Sequence, residues 1–258
     1  MAIERVTPNN VAEWRAMGLH HLQRYEFAAR FTEGKAVLDV ACGNGYGSFA
    51  LKNLGAQSVK GVDLDPKAIE YAESHYSAPG VVFECMDCLE VPAIPCGYET
   101  VVTFETIEHL DKPDRFVRKL HELISPNGRL ILSAPNTLRY QRADNPIDNP
   151  YHRNEPTYED LKAWLAPSFI VDQEWEQSPV SMGFSRQSAL VSTSTMVRWL
   201  LNLDRAVKSL VGSRSLDSAE RGVSLQESHL QVTTQMFPLL PERRSIADVF
   251  VFVCHPRP

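Results

Sequence analysis

The feature that most constrains this chain is a short apolar segment that contains an acid and is followed at once by glycines. The segment reads Val37-Leu-Asp-Val-Ala-Cys-Gly-Asn-Gly-Tyr-Gly47, with Asp39 near the end of a predicted strand and the glycines in the turn after it. Glycine lets the backbone pass close beneath a ligand where a Cβ atom would collide. A pyrophosphate would be repelled by Asp39, whereas a positively charged ligand would be attracted. The segment therefore predicts a strand–turn–helix site for a cationic ligand that carries no phosphate.

Four further apolar segments follow in the N-terminal half, each ending in polar residues. They are Val59-Lys-Gly-Val-Asp63, Val81-Val-Phe-Glu-Cys-Met-Asp87-Cys88, Thr100-Val-Val-Thr-Phe-Glu105 and Arg129-Leu-Ile-Leu-Ser-Ala-Pro-Asn136. Their order and spacing, from residue 34 to residue 136, resemble the class I S-adenosylmethionine-dependent methyltransferases, in particular bacterial glycan and natural-product O-methyltransferases. The resemblance implies a Rossmann-like α/β fold whose sheet has seven strands and is mostly parallel, with an antiparallel last strand at residues 248–254.

The resemblance also implies that S-adenosylmethionine binds at the carboxyl ends of the first three strands. Asp63 would hold the ribose hydroxyls, Asp87 would accept a hydrogen bond from the adenine amino group, and Cys88 would form a neutral wall of the adenine pocket. A zinc or redox role for the pair Cys85-x-x-Cys88 is disfavoured because the chain has no second such pair. The full predicted cofactor-binding set is Tyr25, Asp39, Ala41, Gly43, Gly45, Asp63, Leu64, Met86, Asp87, Cys88 and Phe104.

Length and composition favour one domain, because 258 residues with 43% hydrophobic content can form a single enlarged core. Residues 1–33 are predicted to be an N-terminal helical cover, with a helix from Val11 to Phe31. Its run His20-His-Leu-Gln-Arg-Tyr25 resembles a segment of bacterial methyltransferases from glycan pathways, which implies that Tyr25 flanks the methyl group. Residues 34–176 are the predicted cofactor-binding core. Residues 177–245 are a predicted helical insertion, either a lid or a subunit interface, before the last strand in 246–258.

Charge and hydropathy restrict the partners. A net charge of −6 and a sequence pI near 5.8 argue against duplex nucleic acid as the main partner. No N-terminal apolar run follows basic residues, and no apolar run reaches eighteen residues, so no membrane span is expected. Five scattered cysteines suit a reducing compartment, and we expect a cytoplasmic protein. The expected partner is a small-molecule or glycan acceptor, and a homo-oligomer is left open.

Catalytic chemistry is predicted at Glu105-Thr-Ile-Glu108-His109, directly after the fourth strand. If a helix begins there, Glu105, Glu108 and His109 share one face. They could then hold a divalent metal together with His152, and this set resembles the metal site of small-RNA 2′-O-methyltransferases and partly that of ubiquinone-pathway O-methyltransferases. The alternatives are metal-free general-base catalysis by His109 or His152, and a purely structural role.

The sequence therefore predicts an enzyme that methylates a hydroxyl of a sugar, glycan or small molecule. A histidine base or a metal-bound alkoxide can remove the proton of such a hydroxyl, whereas an amine acceptor needs neither. The competing activities are metal-dependent RNA 2′-O-methylation, small-molecule N-methylation and phenolic O-methylation. A non-enzymatic alternative is an inactive, cofactor-binding subunit whose insertion binds a partner.

Overall fold

The computed structural model describes residues 19–138, 151–154, 156–179, 234–244 and 247–258. The chain divides into two units, residues 1–178 with 235–258 and residues 179–234, and the architecture given below is that of the first unit. Most of the predicted insertion, residues 180–233, lies outside the described residues, as does the start of the predicted N-terminal helix at residues 11–18.

A single mixed sheet organises the described part of the chain. Its strands are β1 Ala36–Val40, β2 Ser58–Asp63, β3 Val81–Cys85, β4 Tyr98–Phe104, β5 Ile124–Pro135, β6 Phe169–Pro179, β7 Thr234–Pro238 and β8 Val249–Pro256. They lie in the order β3-β2-β1-β4-β5-β8-β6-β7. Strands β1 to β5 are parallel, and β8 runs antiparallel to both β5 and β6. The predicted mostly parallel sheet with an antiparallel last strand is confirmed, and β7 adds an eighth strand beside β6.

Two boundaries differ from the sequence prediction. The sequence Ser125-Pro-Asn-Gly128 predicts a turn before the fifth strand, but these residues lie inside β5 as a bulge, because Ile124 pairs with Tyr98 and Arg129 pairs with Thr100. The range 177–245 includes the end of β6 and the whole of β7, so sheet residues lie at both ends of the predicted insertion.

Among the residues that the structure describes, five α-helices connect or cover these strands: α1 Leu19–Ala29, α2 Tyr46–Asn53, α3 Pro66–Tyr76, α4 Pro113–Leu123 and α5 Tyr158–Leu165. Helix α3 begins as its sequence predicts, with the Asp65 side chain accepting a hydrogen bond from the backbone of Lys67. Thr157 and Asp160 form a capping box at the start of α5, as the pattern Thr157-Tyr-Glu-Asp160 indicates. Among the described helices, none has the length and apolarity needed to cross a bilayer.

The helices form a layer on each side of the sheet. Helices α4 and α5 pack on the face that carries Val101 and Phe250, in a core whose central residues are fully buried. Helix α1 lies against the opposite face, where the hydroxyl of Thr100 donates to the carbonyl oxygen of Phe31 and Phe27 contacts Trp175. Successive side chains of a strand point to opposite faces of the sheet, so each strand presents residues to both helix layers. In open sheets of this kind, ligands bind beyond the carboxyl ends of the parallel strands, so the functional site is expected at that edge.

Candidate active site

The glycine turn after β1 has an open side. Ala41, Gly43 and Gly45 all adopt positive φ angles, of 60°, 55° and 82°. A Cβ atom on Gly43 would meet no atom within 4 Å, whereas one on Gly45 would lie 2.5 Å from the Cβ of Ala72. Gly45 therefore permits close packing of α3, and Gly43 leaves space above the turn where a ligand can approach the backbone.

Asp63, at the end of β2, is held beside this turn. One carboxylate oxygen accepts a hydrogen bond from the backbone N–H of Gly43 and the other accepts one from Asp65, each at 2.9 Å. A carboxylate oxygen has more than one acceptor direction, so it can accept from more than one donor. The next residue, Leu64, is 63% exposed. An acid fixed in this position fits the predicted role of binding two ribose hydroxyls.

The end of β3 lies next to Asp63 because the backbone N–H of Met86 donates to the Asp63 carbonyl oxygen at 2.9 Å. Asp87 is exposed, and one of its oxygens accepts from the backbone N–H of Leu89. Burial raises the pKa of the Cys88 thiol to about 12, so this side chain is neutral at physiological pH. Met86 and Cys88 pack against the core as partly buried apolar groups. The structure thus brings these predicted residues together at neighbouring strand ends, and their binding of a nucleoside stays a prediction.

Asp39 is held by two side chains at the end of β1. Its side chain is fully buried, one oxygen accepts from the Ser48 hydroxyl at 2.6 Å and the other accepts from the Tyr25 hydroxyl at 3.3 Å. Burial, as the largest effect, raises the pKa of Asp39 to about 7. Asp39 thus joins α1 and α2 to the end of β1, and its predicted attraction for a cationic ligand stays a prediction.

Tyr25 occupies the space that the third glycine of the turn provides. A Cβ atom on Gly47 would lie 2.0 Å from the Tyr25 ring. The ring also contacts Phe104 edge-on, with 4.9 Å between centroids, and Tyr25 is only 5% exposed. Gly47 thus serves the packing of α1 and not a ligand. Burial raises the pKa of Tyr25 well above its usual value, so its hydroxyl remains a donor to Asp39.

The chain turns sharply after β4, and the predicted helical face does not form. Glu105 has a positive φ of 50°, and residues Ile107–His109 form a single 3₁₀ turn. The Glu105 carboxylate accepts from the Ser133 hydroxyl at 2.7 Å, and its backbone N–H donates to the Ser133 carbonyl oxygen at 3.2 Å. Glu105 is therefore bound to β5 and does not share a helical face with Glu108 and His109, as the predicted metal set requires.

The other three predicted ligands do come together. Ligand atoms of Glu108, His109 and His152 all lie within 4.8 Å of one another. The two imidazole rings meet edge-on with 5.0 Å between centroids, and His109 Nε2 is 3.9 Å from a Glu108 oxygen. Glu108 is buried and both histidines are half-buried. One carboxylate and two imidazoles in this arrangement can accept a proton or hold a divalent ion.

Main-chain hydrogen bonds bring the distant histidine to this turn. The backbone N–H groups of Arg153 and Asn154 donate to the Glu108 carbonyl oxygen at 2.8 and 2.9 Å. The imidazole Nδ1 of His109 donates to the Tyr151 carbonyl oxygen at 3.1 Å, since a carbonyl oxygen can only accept. Nδ1 therefore carries the proton, and the neutral ring has its lone pair on Nε2.

The sequence analysis did not identify Ser48 and Ser133, which orient the two buried or partly buried acids Asp39 and Glu105. Neither serine stands out in the sequence, because each becomes significant only when a second strand or helix is placed beside it. The position of Ser48 in the first turn after the glycines is the one signal that could have indicated it.

Comparison with known proteins agrees with this geometry. Residues 38–132 match the methyltransferase domain family. A probable S-adenosylmethionine-dependent methyltransferase from Mycobacterium tuberculosis is 32% identical over 170 residues, which is 66% of this chain and 60% of that protein. The chain thus spans less than two thirds of the length of this relative. The mitochondrial ubiquinone biosynthesis O-methyltransferase of Schizosaccharomyces pombe is 38% identical over 105 residues, 39% of this chain and 38% of that protein.

A solved structure shares the fold. An S-adenosylmethionine-dependent methyltransferase from Mesorhizobium loti superposes with a TM-score of 0.54 at 14% sequence identity, covering 91% of this chain and 98% of that one. At this identity the likeness concerns the arrangement of strands and helices, and the chemistry has to be argued from the site.

Proposed function

Since the chain carries a class I S-adenosylmethionine-dependent methyltransferase domain, we propose that it transfers a methyl group from S-adenosylmethionine to an oxygen of a sugar, glycan or small-molecule acceptor. When bound, the cofactor supplies a methyl group already activated by its sulfonium. Asp63 would hold the ribose, and the exposed edge at Leu64, Met86 and Cys88 would hold the adenine. The free space beside Gly43 would let the cofactor approach the backbone of the glycine turn closely.

The observation that carries this proposal is the orientation of His109. Its Nδ1 is bonded to the Tyr151 carbonyl oxygen, so the Nε2 lone pair is available at the carboxyl edge of the sheet, five residues after β4 ends at Phe104. An acceptor hydroxyl would give its proton to Nε2 while its oxygen bonds to the methyl carbon and the carbon–sulfur bond breaks. His152, with its ring 5.0 Å from that of His109, is the next candidate base.

A screen for methyl transfer tests this function. The protein would be incubated with methyl-labelled S-adenosylmethionine and matched panels of sugars, phenols and amines, and products would be located by mass spectrometry. We expect labelled ethers from hydroxyl acceptors. Labelled amines alone would favour N-methylation and contradict the role of a base. Cofactor binding without transfer to any acceptor class would favour the inactive-subunit alternative.

A second mechanism is favoured by the clustering of Glu108, His109 and His152. These three residues would hold a divalent ion, which would lower the pKa of a bound acceptor hydroxyl. This mechanism would correspond to that of an RNA 2′-O-methyltransferase, and in part to that of a ubiquinone-pathway O-methyltransferase. Chelator treatment followed by re-addition of Mn²⁺ or Co²⁺ separates the two mechanisms. Loss and recovery of turnover supports the metal, and unchanged turnover supports the histidine base.

The range 177–245 is proposed to shape the acceptor pocket or a subunit interface and to take no part in cofactor binding. Its length motivates this, because about seventy residues far exceed what a connection between two strands requires. Replacing residues 180–233 with a short Gly/Ser linker should abolish acceptor turnover and leave cofactor affinity near that of the intact chain. Full turnover in a folded deletion variant would contradict the proposal.

A further inference from the structure

One asparagine contacts the residues on both sides of His109. The backbone N–H of Asn154 donates to the Glu108 carbonyl oxygen at 2.9 Å, and its side-chain Nδ2 donates to the Leu110 carbonyl oxygen. The direction of the second bond is fixed, because a carbonyl oxygen can only accept and the amide nitrogen is the donor. Asn154 therefore holds the chain directly before and directly after the candidate base.

The turn that carries His109 is short and depends on partners outside it. Residues Ile107–His109 form one 3₁₀ turn, and Leu110 leaves it in an extended conformation, with φ −103° and ψ 134°. Backbone hydrogen bonds of 3.0 and 3.3 Å close the turn itself. The last carbonyl groups of a helical turn have no partner within it, so they need donors from elsewhere in the chain. Asn154 supplies such donors to Glu108 and Leu110.

The side-chain bond makes this contact depend on which residue stands at position 154. The bonds from the backbone N–H groups of Arg153 and Asn154 to the Glu108 carbonyl oxygen can form with other side chains at these positions. The ion pair between Arg153 and Asp111 spans 4.0 Å between exposed side chains, and such pairs contribute little to stability. The amide of Asn154 is therefore a group whose substitution would loosen residues 151–154 from the turn.

The distance between this segment and the turn decides the state of His109. Its Nδ1 donates to the Tyr151 carbonyl oxygen at 3.1 Å, which is already near the long limit for an N–H···O hydrogen bond. A shift of the segment by about 0.5 Å would take the two atoms out of hydrogen-bonding range. The proton of the neutral ring could then lie on either nitrogen, and the lone pair would no longer be confined to Nε2.

We propose that Asn154 is a positioning residue for His109, acting through the bond from its side-chain amide to the Leu110 carbonyl oxygen. It keeps residues 151–154 at the distance from the turn at which the Tyr151 carbonyl oxygen accepts from His109 Nδ1. The lone pair of the neutral ring thereby stays on Nε2. The use of that lone pair in catalysis rests on the proposed function, whereas the fixed tautomer does not.

Nuclear magnetic resonance of the imidazole nitrogens tests this without any acceptor. The two neutral tautomers differ in their ¹⁵N shifts, and the His109 signals are those absent from His109→Gln. At about pH 8, where an ordinary histidine is neutral, we expect the wild type to carry the proton on Nδ1. Asn154→Asp keeps the shape of the side chain and replaces the donor with an oxygen. Asn154→Ala removes the amide without adding charge, and both variants should show the second tautomer of His109.

Asn53→Asp is the matched control. Asn53, at the end of α2, donates from Nδ2 to the Phe49 carbonyl oxygen at 2.8 Å, so this variant loses the same kind of bond and gains the same charge. We expect it to leave the tautomer of His109 unchanged. Thermal melting would verify that each variant is folded, and Asn154→Ala decides the test if Asn154→Asp is not.

Steady-state kinetics with the hydroxyl acceptor found in the methyl-transfer screen measures the effect on catalysis. We expect both Asn154 variants to lower kcat by about tenfold to a hundredfold, the usual effect of removing a group that orients a functional histidine. The KM of the acceptor and the affinity for S-adenosylhomocysteine should stay as in the wild type. A changed tautomer with an unchanged kcat would overturn the positioning role.

The remaining outcomes separate this inference from the proposed function. A His109 tautomer that is the same in wild type and Asn154→Ala would overturn the inference, even in an active methyltransferase. So would an equal change of tautomer in Asn53→Asp, because the effect would then be a general loosening of the protein. If the wild type transfers no methyl group but the tautomer responds as expected, the proposed function fails and the structural link from Asn154 to His109 stands.

Discussion

His109 and Tyr151 are joined by a hydrogen bond from the imidazole Nδ1 to a main-chain carbonyl oxygen at 3.1 Å, across 42 residues of chain. Because the acceptor is a backbone atom, the bond depends on the path of the chain and not on the identity of residue 151. It fixes the ring and its tautomer, which leaves Nε2 to meet an acceptor hydroxyl or a metal ion.

Removing either histidine of the pair is expected to reduce turnover without weakening cofactor binding. Loss of a general base typically lowers the rate by about a hundredfold to ten-thousandfold, and we expect His109→Ala to fall in this range. His152→Ala should have a smaller effect if His109 is the base, and a similar one if both bind a metal. Steady-state kinetics and cofactor calorimetry measure these quantities. His121→Ala, which alters a histidine of α4 bonded to the Arg257 carbonyl oxygen, should retain wild-type turnover. Near-normal rates in both His109→Ala and His152→Ala would show that the two histidines have only a structural role.

Asp63→Ala should weaken the binding of S-adenosylmethionine and its demethylated product alike. The change removes an acceptor for the ribose hydroxyls and also the bond that holds the Gly43 backbone. A loss of about 1.5 to 3 kcal/mol in binding free energy is expected for a charge-assisted hydrogen bond. Isothermal calorimetry gives the value directly, with Glu70→Ala on the exposed side of α3 as the control. Equal affinity in wild type and Asp63→Ala would rule out the assigned ribose contact.

Alanine at the first and third glycines of the turn should have separable effects. At Gly47 the added Cβ would collide with the Tyr25 ring, so Gly47→Ala should lower the free energy of unfolding by about 1 to 3 kcal/mol, as overpacking does. The Tyr25→Ala background should remove most of this cost, which a double-mutant cycle in urea would measure. At Gly43 no atom obstructs the Cβ, so Gly43→Ala should mainly reduce cofactor affinity, apart from the strain of its positive φ. An additive double mutant at positions 47 and 25 would disprove the collision.

Asp39→Asn should change how stability depends on pH. The folded-state pKa of Asp39, about 7, lies above its ordinary value of 3.8, so the folded protein holds this proton more tightly than the unfolded chain. The stability that Asp39 contributes is therefore complete below pH 3.8 and is lost as pH rises towards 7. Asparagine does not titrate, so the difference in unfolding free energy should shift in favour of the variant across this window. Urea unfolding at several pH values measures it, with the exposed Asp111→Asn as reference. A difference independent of pH would contradict the burial argument.

The sequence was sufficient to predict the strands in their order along the chain and the polar residues that stand at their ends. The strands that end near Asp63 and Cys88 can be predicted from local sequence, because each is an apolar run followed by polar or glycine residues. The roles of Asp39 and Gly47 could not be predicted in the same way, because both depend on Tyr25 reaching the glycine turn from another helix. Spacing alone also suggested a helical face for Glu105, whereas its positive φ and its bonds to Ser133 arise only when β5 lies beside β4.

The main-chain bonds from Arg153 and Asn154 to the Glu108 carbonyl oxygen have a consequence for engineering. They make the two histidines one transferable unit, formed by the turn after β4 and a four-residue segment from Tyr151 to Asn154. A transplant of His109 and His152 as side chains into a related scaffold should fail to reproduce their spacing. A transplant that moves both backbone pieces should carry the pair intact, whatever sequence connects them.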